Sequence, residues 1–341
     1  MNKITRIGLD IAKNIFVLNA VNEHGKLVKR QTLNRSKVLA FFAQTEPCIV
    51  GIESCASSQH WAREIAKLGH TVKLMNPKFV VPYRKSGKND ANDAEAICEA
   101  VARPNMRFVA VKSESQQAVL VMHRMRDQLV HERTALMNQI RSYLHEFGIV
   151  IAQGRAPLAK IFPIIDEDMQ LPLLLRQSIT ELADRLADLE RRIQILDQRI
   201  SAWSKQDNAA KALLTLCGVG PVTASAAVAT AGNVSVFKNG REFAAWLGLV
   251  PKQNSSGGKS KLGAITKRGD RYLRTLLVQG ARVVMIAAQK AKLTQKDNPM
   301  FDWIYKLLER RPSNVVAVAI AAKQARMLWA IMKKQQNMVM A

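Results

Sequence analysis

Acidic residues are scarce in this sequence of 341 residues, which has 27 Asp and Glu against 51 Lys and Arg. Its four cysteines include no CxxC pair, which argues against a disulfide framework or a zinc ribbon and favours a reducing cytoplasm. No apolar run reaches the roughly 18 residues that span a membrane, and no signal peptide is predicted. The GxxxxGK motif of ATP-binding loops is absent, so no ATP site is predicted.

Basic residues are abundant, and the formal net charge is +24. Residues 251–341 hold 18 Lys and Arg but only 4 Asp and Glu, so more than half of the surplus lies in the last quarter of the chain. A surplus of this size indicates a polyanionic partner, and nucleic acid is a simpler choice than a membrane surface. The C-terminal part is therefore the predicted nucleic-acid face.

The first hundred residues alternate between strand-like and helix-like patterns. The predicted order is three strands, a helix, a strand, a helix, a strand and a helix, at residues 5–11, 16–21, 27–33, 37–44, 48–54, 58–70, 71–76 and 89–102. Alternation of this kind is typical of an α/β fold. The sequence thus predicts an α/β domain over residues 1–110.

Residues 111–205 are helical in pattern. A heptad seam of apolar residues spaced by four and three runs through Leu182, Leu186, Leu189, Ile193, Leu196, Ile200 and Trp203. An earlier, less regular helix is joined to it by the proline-containing stretch 148–172, which we interpret as a connection. The resulting coiled-coil hairpin is either a spacer within one chain or a surface that pairs with a second copy.

Residues 206–341 are predicted to be mainly helical. Gly218 and Gly220, in "CGVGPVTAS", lie between two helical segments. A glycine turn before a helix can present backbone N–H groups to a phosphate, as in helix-hairpin-helix units, although it can also be an ordinary helix turn. The Gly-, Ser- and Lys-rich stretch 254–263 follows, between an aromatic helix and a basic one.

Four acidic residues of the α/β domain stand out. Asp10 lies inside an apolar strand, Glu53 ends the fourth strand, and Asp90 and Asp93 begin a helix with a spacing that puts them on one face. The pair alone would be explained by helix capping and the helix dipole. Four carboxylates meeting at one edge of a sheet would instead require divalent cations, and oxygen ligands suit Mg²⁺ or Mn²⁺.

A family resemblance rests on these residues. "IGLDIAKNIF", "VGIES" and "NDANDAEAI" resemble the D–E–DxxD signature of the DEDD-type insertion-sequence transposases, a family related to the Piv invertase that includes bridge-RNA-guided recombinases. The C-terminal "CGVGPVTASAAVA" and "REFAAWLGLVPKQNSSGGKSKLGAITKRGDRYLRTLL" are similar to the second domain of that family. The resemblance implies a RuvC-like, RNase H-type N-terminal domain. "ESCASSQHW" departs locally from the family's smaller turn.

The resemblance also implies a serine nucleophile in the second domain. The matching residue is Ser256, with Ser255 directly beside it; without the resemblance, "NSSGGKSK" would pass for a solvent loop. A serine needs a base or metal to become a good nucleophile, which the four acids and their metal would supply. Nearby basic residues are predicted to bind phosphates: Lys259, Lys261, Lys267 and Arg268.

We therefore expect a DNA recombinase that moves an insertion sequence, with three parts at 1–110, 111–205 and 206–341. The resemblance implies that it acts as a dimer or tetramer with a non-coding bridge RNA, in the cytoplasm of a prokaryote and on the nucleoid, with no membrane partner. One alternative is a Holliday-junction resolvase that uses the same acids with water. Another is a chromosome-architectural or RNA-binding protein without catalysis.

Overall fold

A computed structural model describes residues 3–85, 87, 89–255, 261–293 and 298–340. The chain divides into Met1–Ser113 (unit 1) and Glu114–Ala341 (unit 2). Strands alternate with helices in unit 1, whereas unit 2 is mostly helical. The predicted α/β part followed by a mainly helical part is therefore confirmed, while the division into three parts stays a prediction.

Unit 1 is built on a six-stranded mixed sheet. Its strands are β1 (Arg6–Ile11), β2 (Ile15–Val21), β3 (Leu27–Asn34), β4 (Ile49–Glu53), β5 (Thr71–Met75) and β6 (Phe108–Val109). Its helices are α1 (Val38–Ala43), α2 (Ser58–Lys67), α3 (Pro77–Val80) and α4 (Asp90–Val101). The order is β3-β2-β1-β4-β5-β6; β1, β4 and β5 run parallel, and each remaining strand is antiparallel to its neighbour.

The sheet buries both of its faces. Ile7 and Leu9 of β1 belong to one core cluster with Phe42 of α1 and Trp61 of α2. Because side chains alternate along a strand, the residues between them face the opposite side, where α4 lies. Every element predicted between residues 5 and 102 is present; β6 and α3 were not predicted, because elements this short carry no periodic signal.

Unit 2 begins with long helices. Its helices are α5 (Glu114–His145), α6 (Arg155–Glu167), α7 (Leu173–Gln206), α8 (Asn208–Leu213), α9 (Pro221–Ala231), α10 (Gly240–Trp246), α11 (Arg271–Leu293), α12 (Pro299–Leu308) and α13 (Ser313–Met340). A two-stranded sheet of β7 (Pro251–Gln253) and β8 (Leu262–Ile265) interrupts them. Its core joins α8–α13 around apolar side chains such as Phe243, Leu277 and Ile320.

The stretch 148–172 is more than the connection that the sequence predicted, because it contains α6. Pro157 lies in the first turn of α6, where a missing N–H costs nothing, and Pro163 is accommodated inside the helix. Leu158 and Ile165 are buried against α5 and α7. Tertiary packing has here overridden the low helix propensity of proline.

The predicted heptad seam lies in α7 and is buried within the single chain. Leu186, Leu189, Ile193, Leu196 and Ile200 are each no more than 6% exposed. The partners of α7 include α5, α6 and α9 of the same unit. This burial favours the interpretation of the hairpin as an intramolecular element, so a dimer or tetramer would have to form through other surfaces.

One helix among the described residues, Ser313–Met338, is long and apolar enough by length and composition to cross a membrane. In this chain 44% of its most apolar window is buried. Val316, Ile320 and Leu328 belong to the core of unit 2. Packing within the unit accounts for its apolar character.

A buried polar cluster lies among the helices of unit 2. The His123 ring of α5 is 1% exposed and lies 3.1 Å from the Tyr272 hydroxyl of α11 through Nδ1 and 3.0 Å from Ser225 Oγ of α9 through Nε2. Ser225 donates its own proton to the Pro221 carbonyl at 2.7 Å. Nε2 therefore donates to Ser225, and Nδ1 accepts from Tyr272.

The cluster continues to an ion pair. Arg126 of α5 pairs with Asp197 of α7 and also hydrogen-bonds Tyr272. Burial, and then the charge of Arg126, lowers the pKa of His123 to about 4, so the imidazole is neutral at pH 7. We call His123, Ser225, Tyr272, Arg126 and Asp197 the His123 cluster; it links four helices.

Candidate active site

Two glycines let α4 lie directly on the sheet. A Cβ atom on Gly8 of β1 would fall 2.2 Å from the carbonyl oxygen of Ala94 and 2.4 Å from the amide nitrogen of Cys98. A Cβ on Gly51 of β4 would fall 2.8 Å from Cβ of Val101. Both strands therefore touch α4 at positions where only glycine fits.

Asp10 and Glu53 follow these glycines by two residues and so share the α4 face of the sheet. β1 and β4 are parallel and in register, which sets the two acids side by side at the carboxyl ends of neighbouring strands. The predicted meeting of strand-end acids thus follows from the sheet topology. Strand pairing, and not a local helix or turn, therefore determines the positions of Asp10 and Glu53.

The first turn of α4 supplies Asp90 and Asp93. Asn89 is the N-cap, and its side chain accepts a hydrogen bond from the amide of Asn92 at 2.8 Å. The capping role is therefore filled by Asn89. The two aspartates lie on one face of the helix, where the helix dipole favours their charge.

Asp10 lies close enough to the other three acids to be affected by their charges. The pKa of Asp10 is raised to about 6, first by burial and then by the charges of Asp93, Asp90 and Glu53. Burial raises the pKa of the Cys55 thiol, and the charges of Glu53 and Asp10 raise it further. Asp10, Glu53, Asp90 and Asp93 therefore gather at one edge of the sheet, which we call the acidic edge.

Basic side chains flank the acidic edge on the α4 side. Arg84, in the segment before α4, forms an ion pair with Asp93. Lys85 pairs with Glu95, which also accepts a hydrogen bond from Arg30 at 2.9 Å. No sequence pattern indicated the contact between Arg84 and Asp93, because this contact depends on how the segment 81–85 folds back on the helix.

The acidic edge offers donors of the right kind for a metal. Carboxylate oxygens are the ligands that Mg²⁺ and Mn²⁺ prefer. Asp10 is held half-buried against three like charges, which a cation would neutralise. Within the described ranges, however, no three His, Cys, Asp or Glu side chains are already set as a ligand group. The donor set fits a divalent cation, although the side chains do not form a closed coordination shell.

The strands β7 and β8 pair antiparallel on either side of the segment predicted to carry the nucleophile, and we call these paired strands the hairpin. The amide of Asn254 donates to the carbonyl of Lys261 at 2.9 Å, which closes the ladder of β7 and β8. Ser255 Oγ accepts from the side chain of Gln253 at 3.1 Å. Ser256 and Lys259 lie outside the described residues.

The base of this hairpin is fixed by close backbone contacts. A Cβ on Gly248 (φ +73°) would lie 2.2 Å from the Arg268 carbonyl, and one on Gly269 (φ +85°) would lie 1.8 Å from the Trp246 carbonyl. The side chains of Lys261, Lys267 and Arg268 are exposed around it. These three basic residues therefore surround a braced hairpin at the surface of unit 2.

The glycine turn before α9 has a packing role that the sequence did not indicate. Gly218 (φ +80°) lies against α11, where an added Cβ would be 2.7 Å from the Gly280 carbonyl. Gln324 donates to the neighbouring Cys217 carbonyl at 2.9 Å. Gly220 precedes α9 with open space around it. The phosphate-binding role of Gly218 and Gly220 stays a prediction.

Comparison with protein families gives two matches. A model of the DEDD transposase domain of IS110, described as a transposase, matches residues 7–149. A second, described as the transposase IS116/IS110/IS902 family, matches residues 210–296. The first match contains the whole acidic edge and the second contains the braced hairpin.

Similar proteins extend over nearly the whole chain. A probable family 20 transposase of Pseudomonas aeruginosa is 48% identical over 97% of this chain and 98% of its own. The transposase for insertion sequence element IS1328 of Yersinia enterocolitica is 41% identical over 97% of each. The transposase for element IS1111A of Coxiella burnetii is 35% identical over 99% of this chain and 92% of its own.

The protein is thus an enzyme that cleaves DNA and transfers strands, and its DEDD domain is of a type that uses divalent metal ions. The chain belongs to the IS110/IS116/IS902 family of insertion-sequence transposases.

Proposed function

We propose that this transposase cuts and exchanges DNA strands with Mg²⁺, or Mn²⁺, held at the acidic edge. The observation that carries the proposal is the placement of Asp10 and Glu53 at the ends of neighbouring parallel strands, beside Asp90 and Asp93 in the first turn of α4. The raised pKa of Asp10, caused by burial and by these three neighbouring acids, agrees with it. A strained group of acids is the expected state of a metal site before its cation arrives. The mixed sheet order also supports a RuvC-like, RNase H-type fold for unit 1.

In this mechanism the four acids would hold the cation at the site where the scissile phosphate binds. A bound divalent ion would offset the phosphate charge and lower the pKa of an attacking hydroxyl. Asp10 and Glu53 are fixed by strands, whereas Asp90 and Asp93 are fixed by α4. Rigid elements on two sides favour precise placement of the phosphate.

We propose Ser256 as the nucleophile, on the strength of the family resemblance. Its oxygen would form a bond to phosphorus while the bond from phosphorus to a deoxyribose oxygen breaks. The serine proton passes to solvent, and the displaced sugar oxygen takes a proton in return. The phosphoserine linkage retains the phosphodiester bond energy, so religation to a new strand needs no ATP.

The partners that we propose are donor and target DNA, a non-coding bridge RNA and further copies of this chain. The surplus of 18 basic over 4 acidic residues in 251–341 supports binding to nucleic acid. Lys261, Lys267 and Arg268 are exposed beside the hairpin and suit phosphate contacts. The proposed location is the nucleoid in the cytoplasm of a prokaryote.

Replacement of Ser256 by alanine tests the proposed chemistry against a resolvase that uses water. The purified protein is mixed with its element DNA, co-purified RNA and Mg²⁺, and covalent protein–DNA adducts are resolved on a denaturing gel. We expect Ser256→Ala to lose both adduct and strand cleavage, while Ser255→Ala retains them. Cleavage without any adduct in the Ser256→Ala protein would establish water as the nucleophile.

A further inference from the structure

A shallow, open groove of about 610 Å³ with polar and apolar walls lies in unit 1, apart from the four acids. Its walls include Asn14 at the turn between β1 and β2, Asn34 and Arg35 at the end of β3, and His60 and Trp61 of α2. This volume falls within the roughly 300–1,000 Å³ of sites that hold a small molecule or one residue of a polymer. Neither the proposed metal site nor the serine hairpin uses these residues.

The groove combines flat rings with cationic and amide groups. The Arg35 guanidinium lies 5.1 Å from the centre of the Trp61 ring, and the His60 ring meets that ring edge-on at 5.4 Å. The Arg35 side chain donates a hydrogen bond to the Lys13 carbonyl at 3.2 Å, and the Arg35 backbone amide donates to the Asn14 carbonyl at 2.8 Å. None of the described residues that line the groove is acidic. Trp61 is only 4% exposed and supports Arg35 from beneath, so the exposed planes are the Arg35 guanidinium and the His60 ring. A nucleobase can stack on these planes, and its phosphate would meet positive charge.

The groove lies at the same end of β1 as the acidic edge. The amide of Ala12 donates to the Ile15 carbonyl at 3.1 Å, so Asn14 is in the tight turn that follows Asp10. Four extended residues span at most about 14 Å. At roughly 3.4 Å per stacked nucleotide, this distance is a few nucleotides along one strand. Cys55 Sγ, just after Glu53, is 4.0 Å from the Ile11 carbonyl, so the loop leading to α2 lies on the same strand end.

We propose that this groove binds an unstacked nucleotide of the DNA strand whose phosphate lies at the acidic edge. The proposal rests on the function proposed above and adds a substrate contact to it. Duplex DNA hides the faces of its bases in the stack, so a site made of ring planes selects a base that has left it. The acids face α4, whereas the groove faces α1 and α2, so the strand would pass around the carboxyl end of β1.

The test measures binding of a fluorescein-labelled single-stranded DNA of roughly 12 mixed nucleotides by anisotropy, with full-length protein and no Mg²⁺. The variants are His60→Ala and Arg35→Gln. The controls are His24→Ala and Lys26→Gln, which remove one histidine and one basic side chain in the same way. Both lie in the exposed turn between β2 and β3, at the end of the strands opposite to the groove. We expect each groove variant to weaken binding about tenfold and each control to weaken it less than about twofold.

A second measurement on the unaltered protein guards against variants that fail to fold. The same oligonucleotide with iododeoxyuridine is photo-crosslinked, and we expect the adduct on the peptide that contains His60 and Trp61. Equal loss in groove and control variants, crosslinks only in unit 2, or tighter crosslinking of the matching RNA at this peptide would each overturn the proposal.

The two proposals fail separately. Strand cleavage is assayed on element DNA alongside binding. If cleavage requires Ser256 and Mg²⁺ while the groove variants bind normally, the groove proposal is wrong and the proposed function stands. If the groove variants lose binding while Ser256→Ala still cleaves, the groove stands and the serine mechanism is wrong.

Discussion

The acidic edge of unit 1 and the His123 cluster of unit 2 each contain a titratable side chain that is withdrawn from solvent, Asp10 and His123, but the neighbours of these two side chains differ. In the His123 cluster each donor meets an acceptor, and Arg126 meets Asp197. At the acidic edge, Asp10 meets three groups of its own sign. Complementary groups stabilise a fold, whereas like charges held together indicate that a cation or substrate completes the set.

The two groups also respond to pH in opposite directions. The folded state raises the pKa of Asp10 from 3.8 to about 6, so Asp10 favours folding below pH 3.8 and loses that contribution as the pH rises to about 6. The pKa of His123 falls from 6.5 to about 4, so its contribution is present above pH 6.5 and is lost as the pH falls towards 4.

The largest effect should come from Asp10→Asn, which removes charge from the acidic edge and hardly changes its shape. A metal site supplies several kcal/mol to the transition state, so we expect strand cleavage in Mg²⁺ to fall by about a thousandfold. The control is Glu23→Gln, in the turn between β2 and β3 at the end of the strands opposite to Asp10, and this protein should cleave normally. If the Asp10→Asn protein cleaved at the unaltered rate, the acidic edge would not be the catalytic site.

Gly8→Ala should destabilise the protein through packing alone, since the new Cβ would overlap the Ala94 carbonyl. We expect a loss of about 2–3 kcal/mol in the free energy of unfolding, measured in urea. Gly220→Ala is the matched control: open space surrounds that glycine, and its cost should stay below about 0.5 kcal/mol. Equal costs would mean that α4 does not rest on β1 as described.

Tyr272→Phe tests whether the His123 cluster stabilises unit 2. It removes a hydroxyl that the His123 cluster uses and leaves the His123 Nδ1 acceptor unpaired, at a cost of about 1–2 kcal/mol in unfolding free energy. Tyr143→Phe, whose hydroxyl is exposed on α5 beside Gln139, should cost less than about 0.5 kcal/mol. A neutral Tyr272→Phe protein would contradict a structural role for the cluster.

The smallest effect concerns Mg²⁺ and pH. Asp10→Asn should be more stable than the unaltered protein at pH 7.5 without metal, by about 1 kcal/mol after solvent screening, and no more stable at pH 4. Adding Mg²⁺ at pH 7.5 should raise the melting temperature of the unaltered protein by a few degrees and that of Asp10→Asn by less. A pH-independent difference between the two proteins would show that Asp10 is not strained by its neighbours.

The sequence predicted unit 1 well because its strands and helices each bury a regular pattern. The acids could be placed at one edge because topology alone brings the ends of parallel strands together. It did not predict α6, whose stability comes from packing that overrides Pro163, nor the pairing of β7 with β8, whose strands are short and exposed.

The finer features of the site depend on contacts between distant residues, which no local pattern reveals. The pairing of Arg84 with Asp93 arises where the segment before α4 folds back. The contact between Gly218 and Gly280 arises where the turn before α9 packs against α11. Each is visible only once the chain has folded.

The lack of a side chain at Gly8 and Gly51 affects the distance between the sheet and α4, and therefore the geometry of the proposed metal site. Two of the four acids belong to the sheet and two to the helix packed on it, so the gap between these layers would set the span that a cation in the proposed site has to bridge. With no side chain as a spacer, that gap is at its minimum. A genetic screen should therefore recover substitutions at these glycines alongside those of the acids, although the glycines touch neither metal nor DNA.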